Sequence, residues 1–215
     1  MFTGTLLQSA KDALAILGTS PILDDAYLAG GSALALHLGH RKSYDFDFYT
    51  PSSLRAEDIA SQLSRLGIFT TTLLMPPHTL LGEFNGIKFS LFRYAYPMIQ
   101  PLSAFQNIKI ASLPDIAAMK LSAIGGRAVK RDYVDLYVLS HRHTFDEMFA
   151  WYEEKFGVLG NNLYVIIKAL NYFDDAENDT MPEMVVSLTW DQVKEYLSSE
   201  AIRLARKYLE DKQKR

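Results

Sequence analysis

Two short stretches in the first third of the chain carry residues whose types and spacing could do chemistry together. Gly30-Gly31-Ser32 ends the apolar run Ala26–Ala29, and Asp45-Phe46-Asp47 follows after a predicted helix and the basic loop His40–Lys42. Two glycines let a backbone approach a phosphate without a clash from a Cβ atom. The start of the next helix offers free N–H groups and a partial positive charge to an anion, and the serine hydroxyl can add a donor.

The two aspartates predict a cation beside that phosphate site. Tyr44–Tyr49 alternates acidic and aromatic residues, which is typical of a strand, and residues two apart in a strand share a face. Asp45 and Asp47 therefore project side by side, where two carboxylates repel each other unless a cation lies between them. Magnesium prefers such oxygen ligands. Alone, the glycines would indicate a turn and the acids an exposed strand face; together they predict a site for a nucleoside triphosphate and its metal.

The elements that must position these residues change in character near Ser112. Before it, the pattern predicts helices and strands with an Asn85-Gly86 hairpin turn. The predicted helices are 6–17, 32–38 and 56–66, and the predicted strands are 26–29, 44–49, 68–74, 79–84, 87–92 and 105–110. After it, Ser112 caps a helix, and further helices are predicted at 132–139, 145–156, 163–173 and beyond the capping box Thr189–Gln192. The acidic segment 174–179 is predicted to be a solvated loop. The chain thus divides into an α/β part, 1–111, and a helical part, 112–215.

Composition excludes several classes of protein. The 215 residues are 48% hydrophobic and 22% charged, which excludes a disordered, collagen-like or coiled-coil chain. The absence of cysteine excludes disulfides, thiolate metal sites and a cysteine nucleophile. The net charge of −3 means that any nucleic-acid surface must be a local patch. No apolar run approaches the ~20 residues of a membrane helix, and the N-terminus lacks a basic leader region, so we expect no membrane association and a cytoplasmic location.

The stretch Gly30–Phe48 resembles the first motif of the polymerase-β-like nucleotidyltransferase superfamily. Together with the downstream segments Lys120–Arg127 and Arg131-Asp132-Tyr133-Val134-Asp135-Leu136, it resembles the AbiEii/AbiGii toxin branch of that superfamily. The resemblance covers about Ala26 to Leu139. It implies an α+β fold, namely a polymerase-β-like mixed sheet with helices plus a helical C-terminal half that completes the active-site cleft.

The resemblance also implies roles for individual residues. Gly30, Gly31 and Ser32 would hold the triphosphate, and Asp45 and Asp47 would bind Mg²⁺, with Mn²⁺ as the alternative. Lys120 would contact the phosphates or the base, and Asp132 would lie in the same pocket and be needed for activity. The residues themselves leave another possibility open. Asp132 and Asp135 share a helix face, so with Lys120 they could instead form a structural ion-pair network between two helices.

One position departs from the superfamily pattern. Two-metal phosphoryl transfer usually needs a third carboxylate on a neighbouring strand, and the matching strand here, 87–92, offers Ser90 or Lys88 at that place. Four alternatives follow: one metal suffices, Glu83 supplies the charge, Asp132 supplies it, or catalysis is reduced.

The predicted activity is transfer of a nucleoside monophosphate from a nucleoside triphosphate to an acceptor, with pyrophosphate leaving. The family points to the toxin of a toxin–antitoxin or phage-defence pair, with a cognate antitoxin as partner and a tRNA 3′ end or other RNA as acceptor. Transfer to a small molecule or a protein hydroxyl, and a nucleotide-binding module with weak catalysis, are the alternatives.

Other polar residues give weaker signals. A patch of Arg127, Lys130 and Arg131 is the predicted RNA surface, extended by the basic residues of 203–215 if these do not simply form a solvated helix face and tail. His141 and His143 have the spacing of a metal pair but are predicted to lie at a surface turn.

Overall fold

The computed structural model describes residues 1–126 and 129–210, which divide between Ile116 and Ala117 into two compact units. The first unit contains every strand of the described chain. These strands are β1 Tyr27–Ala29, β2 Phe46–Thr50, β3 Phe69–Met75, β4 Thr79–Phe84, β5 Ile87–Arg93, β6 Ser103–Phe105 and β7 Ile108–Ile110. Its helices are α1 Gln8–Leu17, α2 Gly30–Leu38 and α3 Ala56–Leu66, with short 3₁₀ helices at Thr3–Thr5 and Pro21–Leu23. Helix α4, Leu113–Gly126, begins in this unit.

The seven strands form one sheet in the order β3-β4-β5-β2-β1-β7-β6. Strand β2 runs parallel to β5, and β1 runs parallel to β7, whereas the other neighbouring strands are antiparallel. The predicted α+β class with a mixed sheet is therefore confirmed. The short strand β1 and strand β2 lie at the centre of the sheet, where both the glycine turn and the acidic pair begin.

The core of this unit lies on one face of β2. Phe46 and Phe48 are fully buried, and the ring of Phe48 lies 5.4 Å from that of Phe89 in β5. Full burial of one such side chain stabilises the fold by about 1.5–3 kcal/mol. Because strand residues alternate between faces, this burial directs Asp47 and Tyr49 to the opposite face. Helix α2 contacts β1 and β2 and is almost entirely buried, which explains why its sequence is apolar on all sides.

The second unit is helical in its described part. After α4 it contains α5 Lys130–Ser140, α6 Phe145–Phe156, α7 Leu159–Ala169, α8 Asp174–Glu177 and α9 Trp190–Ala205, followed by a π-helical turn at Arg206–Glu210. The predicted capping box Thr189–Gln192 starts α9, and a second one, Thr144–Glu147, starts α6. Among residues 1–126 and 129–210, no helix is long and apolar enough to span a membrane.

Three predicted elements differ from the structure. Segment 105–110 is not one strand, because Gln106 and Asn107 adopt positive φ angles of 51° and 62° and turn the chain between β6 and β7. The acidic segment 174–179 is not a plain loop, since it contains the short helix α8; acidic side chains favour the N-terminal turn of a helix. Helix α7 lies earlier than predicted, at Leu159–Ala169 rather than 163–173.

Candidate active site

Strand β2 presents Asp47 on the face opposite the phenylalanine core. Asp47 lies in register between Ala29 of β1 and Ser90 of β5, so these three residues form one row across the centre of the sheet. Asp45 precedes β2 by one residue, and both aspartates are half-buried. Because β2 begins at Phe46, the strand places only Asp47 on this face, and the sharing of that face by Asp45 stays a prediction.

The glycine turn lies directly against this row. Gly30, the first residue of α2, has a φ of +64°, and a Cβ atom there would come within 2.8 Å of Asp47 Oδ2. Only glycine adopts that φ without strain and leaves room for the carboxylate. At Gly31 a Cβ atom would lie 2.6 Å from Nη2 of Arg41. The start of α2 is thus flanked by a carboxylate on one side and a guanidinium on the other.

Ser32 fastens the start of α2 to the segment before β2. Its side chain is buried, and Oγ donates a hydrogen bond to the backbone carbonyl of Asp45 at 2.5 Å. A hydroxyl has one hydrogen, so in this structure the predicted phosphate donor orients the first aspartate. Its contact with phosphate stays a prediction.

Arg41, from the basic loop His40–Lys42, is a residue of this region whose burial the sequence did not predict. It is only 3% exposed, and Nη1 donates to the carbonyl of Lys42 at 2.9 Å. A buried guanidinium beside a glycine turn adds positive charge where the triphosphate is predicted. The signal in the sequence was only its membership of the basic loop His40–Lys42, which is equally typical of an exposed loop.

The register identifies the occupant of the third acidic position. Ser90 lies beside Asp47 in the adjacent parallel strand and is buried. Glu83 of β4 pairs with Lys88, so its Cα lies about 12 Å from that of Asp47 by the usual strand spacing and rise. At that distance Glu83 does not share a ligand position with Asp47. The structure thus places a neutral serine hydroxyl at the position where the family resemblance predicts a third carboxylate.

The residues present fit a magnesium ion. Asp45 and Asp47 offer hard oxygen ligands. Because Gly30 has no Cβ atom, the Asp47 carboxylate has room to lie against the start of α2. Mg²⁺ in nucleotide sites is usually held by one or two carboxylates together with waters and substrate phosphates. Among the described residues no cluster of three or more His, Cys, Asp or Glu side chains could hold a metal, so a bound nucleotide would have to complete the coordination.

Lys120 and its two partners form a buried cluster in the second unit. Nζ of Lys120, on α4, lies 2.6 Å from Oδ1 of Asp132 and 2.6 Å from Oδ2 of Asp135, both on α5. All three side chains are at least 93% buried, and their formal charges sum to −1. The ion-pair network that the spacing allowed is therefore present. The contact of Lys120 with phosphate or base and the catalytic need for Asp132 stay predictions.

The predicted RNA patch is partly wrong. Lys130 is buried: its Nζ donates to the carbonyls of Glu177 and Asp179 at 3.0 and 2.6 Å and lies 5.0 Å from the centre of the Trp190 ring. Its ammonium thus caps α8 and its neighbouring turn, and does not face RNA. Arg131 is exposed. Arg127, Lys212, Lys214 and Arg215 lie outside the described residues.

Two of the described basic residues near the end of α9, Arg203 and Lys207, are paired with acidic ones. Arg203 Nη1 and Lys207 Nζ lie 3.1 and 2.8 Å from the carboxylate of Asp146, which also accepts a hydrogen bond from the Tyr208 hydroxyl. Partial burial raises the pKa of Asp146, but hydrogen bonds from Lys207, Tyr208 and Arg203 outweigh it and hold that pKa below its usual value. These two cations fasten α9 to α6 and are partly neutralised.

The two histidines after α5 lie where the sequence predicted, near the surface. His141 is exposed and packs against the rings of Tyr137 and Tyr196, with centroids 4.4 and 4.9 Å apart. His143 meets Trp151 edge-on at 4.9 Å. Both imidazoles are therefore held by aromatic neighbours.

Several known proteins are similar to this chain. An uncharacterized protein of Aquifex aeolicus (strain VF5), aq_aa25, is 33% identical over 212 residues, which cover 96% of this chain and 98% of that protein. MenT4, the nucleotidyltransferase toxin Rv2826c of Mycobacterium tuberculosis H37Rv, superposes with a TM-score of 0.55 at 16% identity, covering 93% of this chain and 89% of that one. JHP933 of Helicobacter pylori gives 0.52 at 13% identity, covering 96% and 93%. The two solved structures show a common fold.

The family model adds the activity. Residues 88–204, more than half of the chain, match the family described as nucleotidyl transferase AbiEii toxin, type IV toxin–antitoxin system. This segment includes Ser90, Lys120 and Asp132. The chain therefore belongs to the AbiEii family of toxins, and it is a nucleotidyltransferase of a toxin–antitoxin system.

Proposed function

We propose that the enzyme transfers a nucleoside monophosphate from a nucleoside triphosphate to an acceptor hydroxyl with magnesium held by Asp45 and Asp47. The observation that carries this proposal is the contact between Gly30, at the start of α2, and the Asp47 carboxylate. It brings an anion-binding helix start and a cation-binding carboxylate to the same place. A metal-bound triphosphate needs both.

The candidate site residues of the first unit each have a distinct part in the proposed reaction. The N–H groups of the first turn of α2 bind the β- and γ-phosphates, and the Arg41 guanidinium beside Gly31 adds positive charge. Bound magnesium supplies Lewis-acid neutralisation of the phosphate charge. Ser32 fixes the backbone at Asp45 and so holds the first carboxylate beside the second.

The balance of the reaction is simple. The acceptor oxygen forms a bond to the α-phosphorus, and the bond from that phosphorus to the bridging oxygen of the β-phosphate breaks, so that pyrophosphate leaves. The acceptor proton passes to water. Ser90, beside Asp47, does not offset a second divalent cation as a carboxylate would. We therefore propose chemistry that depends on one magnesium ion bound by the acidic pair.

The proposed acceptor is RNA, with a tRNA 3′ end as the preferred form, and the proposed partner that restrains the toxin is a cognate antitoxin in the cytoplasm. Membership of the toxin family supports both. A small-molecule or protein hydroxyl is the second candidate acceptor. It is favoured by the burial of Lys130 and by the ion pairs of Arg203 and Lys207, which leave fewer free cations for an RNA backbone.

The test is incubation with each of the four α-labelled nucleoside triphosphates, magnesium and total RNA, followed by sizing of the labelled product. Label should enter a tRNA-sized product with wild type and be absent with Asp47→Asn and Asp45→Asn. Asp58→Asn, on the exposed face of α3, is the matched control and should keep activity. Label in protein or in a small molecule would support the second candidate, and equal transfer by Asp47→Asn would contradict the proposed metal site.

A further inference from the structure

Aromatic side chains form a row beside the acidic pair on the same face of the sheet. Tyr49 lies two residues beyond Asp47 in β2, and the register places Tyr27 of β1 and Phe92 of β5 on either side of it. Past the end of β5, the ring of Tyr94 lies 5.2 Å from that of Tyr49, and the ring of Tyr96 lies 4.8 Å from that of Tyr94. We call this set the aromatic row: Tyr27, Tyr49, Phe92, Tyr94 and Tyr96.

The aromatic row runs from the core to the solvent. Tyr27 is only 4% exposed and stacks on Tyr49 at 6.0 Å with an interplanar angle of 24°. At the other end Tyr96 is 46% exposed, and Tyr94 behind it is half-buried. The buried end therefore fixes the position of the row, and the solvent end presents a ring on which a planar group can stack.

The order of features along the two central strands matches the order of groups in a nucleotide. From the start of α2 backwards, β1 and β2 carry the glycine turn at Gly30, then the row of Ala29 and Asp47, then the row of Tyr27 and Tyr49. The step from Gly30 to Ala29 is one residue, about 3.3 Å, and the step from Ala29 to Tyr27 is two residues, about 6.6 Å. A triphosphate at the glycine turn and acidic pair would thus extend its sugar and base toward the aromatic row.

We infer that the aromatic row, through Tyr94 and Tyr96, stacks the base of the nucleoside triphosphate. This inference rests on the proposed function, because it takes the phosphates to lie at Gly30 and the acidic pair. Stacking on an aromatic ring tolerates every base, since each base has a π-face. The donor site would then hold all four nucleotides with modest discrimination.

The experiment compares a ligand that has a base with one that lacks it. Affinities of ATP, CTP and inorganic tripolyphosphate are measured with magnesium for wild type, Tyr96→Ala, Tyr94→Ala and Tyr96→Phe. We expect the alanine variants to bind ATP and CTP about 5- to 150-fold more weakly, to bind tripolyphosphate as wild type does, and Tyr96→Phe to retain full affinity. Tyr164→Ala, at an exposed tyrosine of α7, is the matched control.

The outcomes separate this inference from the proposed function. Unchanged ATP affinity in both alanine variants, or an equal loss for ATP and tripolyphosphate, would overturn the stacking role. Unchanged ATP affinity with weaker binding of single-stranded RNA would also overturn it and assign the row to the acceptor. If Asp47→Asn keeps magnesium-dependent ATP binding, the proposed function itself fails, whatever the tyrosine variants show.

Discussion

Replacing Lys120 by alanine should destabilise the second unit strongly. The ammonium lies 2.6 Å from a carboxylate oxygen of each of Asp132 and Asp135, and the three side chains are almost fully buried. Its removal leaves two buried negative charges without their shared cation. Breaking one buried ion pair in this way usually costs about 3–5 kcal/mol. With a shift of ~2–4 °C per kcal/mol for a protein of this size, the midpoint of thermal unfolding should fall by roughly 6–20 °C.

A companion variant separates charge balance from catalysis. Lys120→Met combined with Asp132→Leu and Asp135→Leu removes all three charges and leaves apolar side chains, and replacement of a buried ion-pair network by apolar residues is often neutral or stabilising. Urea unfolding followed by circular dichroism should therefore place the triple variant within about 1 kcal/mol of wild type. Nucleotide transfer should remain low in both variants if Lys120 and Asp132 act in the reaction.

Two results would refute this reasoning. If Lys120→Ala unfolds within 1 kcal/mol of wild type, the buried cluster does not carry the stability assigned to it. If the triple variant regains both stability and full transfer activity, the cluster is structural only, and the roles that the family resemblance gives to Lys120 and Asp132 are wrong.

Three further predictions concern single side chains. Ser90→Asp places a second carboxylate beside Asp47, with the two Cα atoms about 4.8 Å apart. Like-charge repulsion should lower the unfolding free energy of this variant without magnesium, and added magnesium should restore it. A loss of stability that does not depend on magnesium would contradict the placement of the metal. Tyr27→Phe should leave stability unchanged or raise it by ~1 kcal/mol, because the Tyr27 hydroxyl is buried and has no hydrogen-bond partner among the described residues. A loss of stability of more than ~1 kcal/mol in urea unfolding would contradict this prediction. Because hydrogen bonds hold the pKa of Asp146 low, its stabilisation is fully present above the unfolded-state pKa near 4 and is lost as the pH falls through the lower pKa of the folded protein. The difference in unfolding free energy between wild type and Asp146→Asn should be below ~1 kcal/mol at pH 7, since the group is partly solvated, and should vanish toward pH 2; a constant difference would refute the linkage.

Most helices and strands could be predicted from the sequence because the residues that define them lie within a few positions of each other. The helix α3 and the strand β4 have the predicted bounds, since an amphipathic repeat stopped by Gly67 and the Asn85-Gly86 turn define them within a few residues. The turn between β6 and β7 was missed because Gln106 and Asn107 adopt positive φ without a glycine. Turn chemistry without glycine has a weaker sequence signal.

The candidate site was predictable only as far as its residues lie close in sequence. Gly30 and Asp47 were expected to act together, but their contact depends on the pairing of β1 with β2. The place of Ser90 beside Asp47 depends on parallel pairing between distant strands, which no local pattern specifies. Lys130 was misassigned because its burial comes from a turn 47 to 49 residues away. A charged residue on a helix gives no sign of such a partner.

Binding of Mn²⁺ as a paramagnetic substitute for Mg²⁺ tests the central claim most directly. Electron paramagnetic resonance measures the concentration of free Mn²⁺ while the ion is titrated into each protein together with a non-hydrolysable nucleoside triphosphate analogue. The proteins compared are wild type, Asp45→Asn, Asp47→Asn and Asp58→Asn. Loss of one charged ligand should weaken nucleotide-dependent Mn²⁺ binding about 10- to 150-fold in the first two variants and leave Asp58→Asn like wild type. Equal Mn²⁺ binding by all four proteins would contradict the assignment of Asp45 and Asp47 as the metal site.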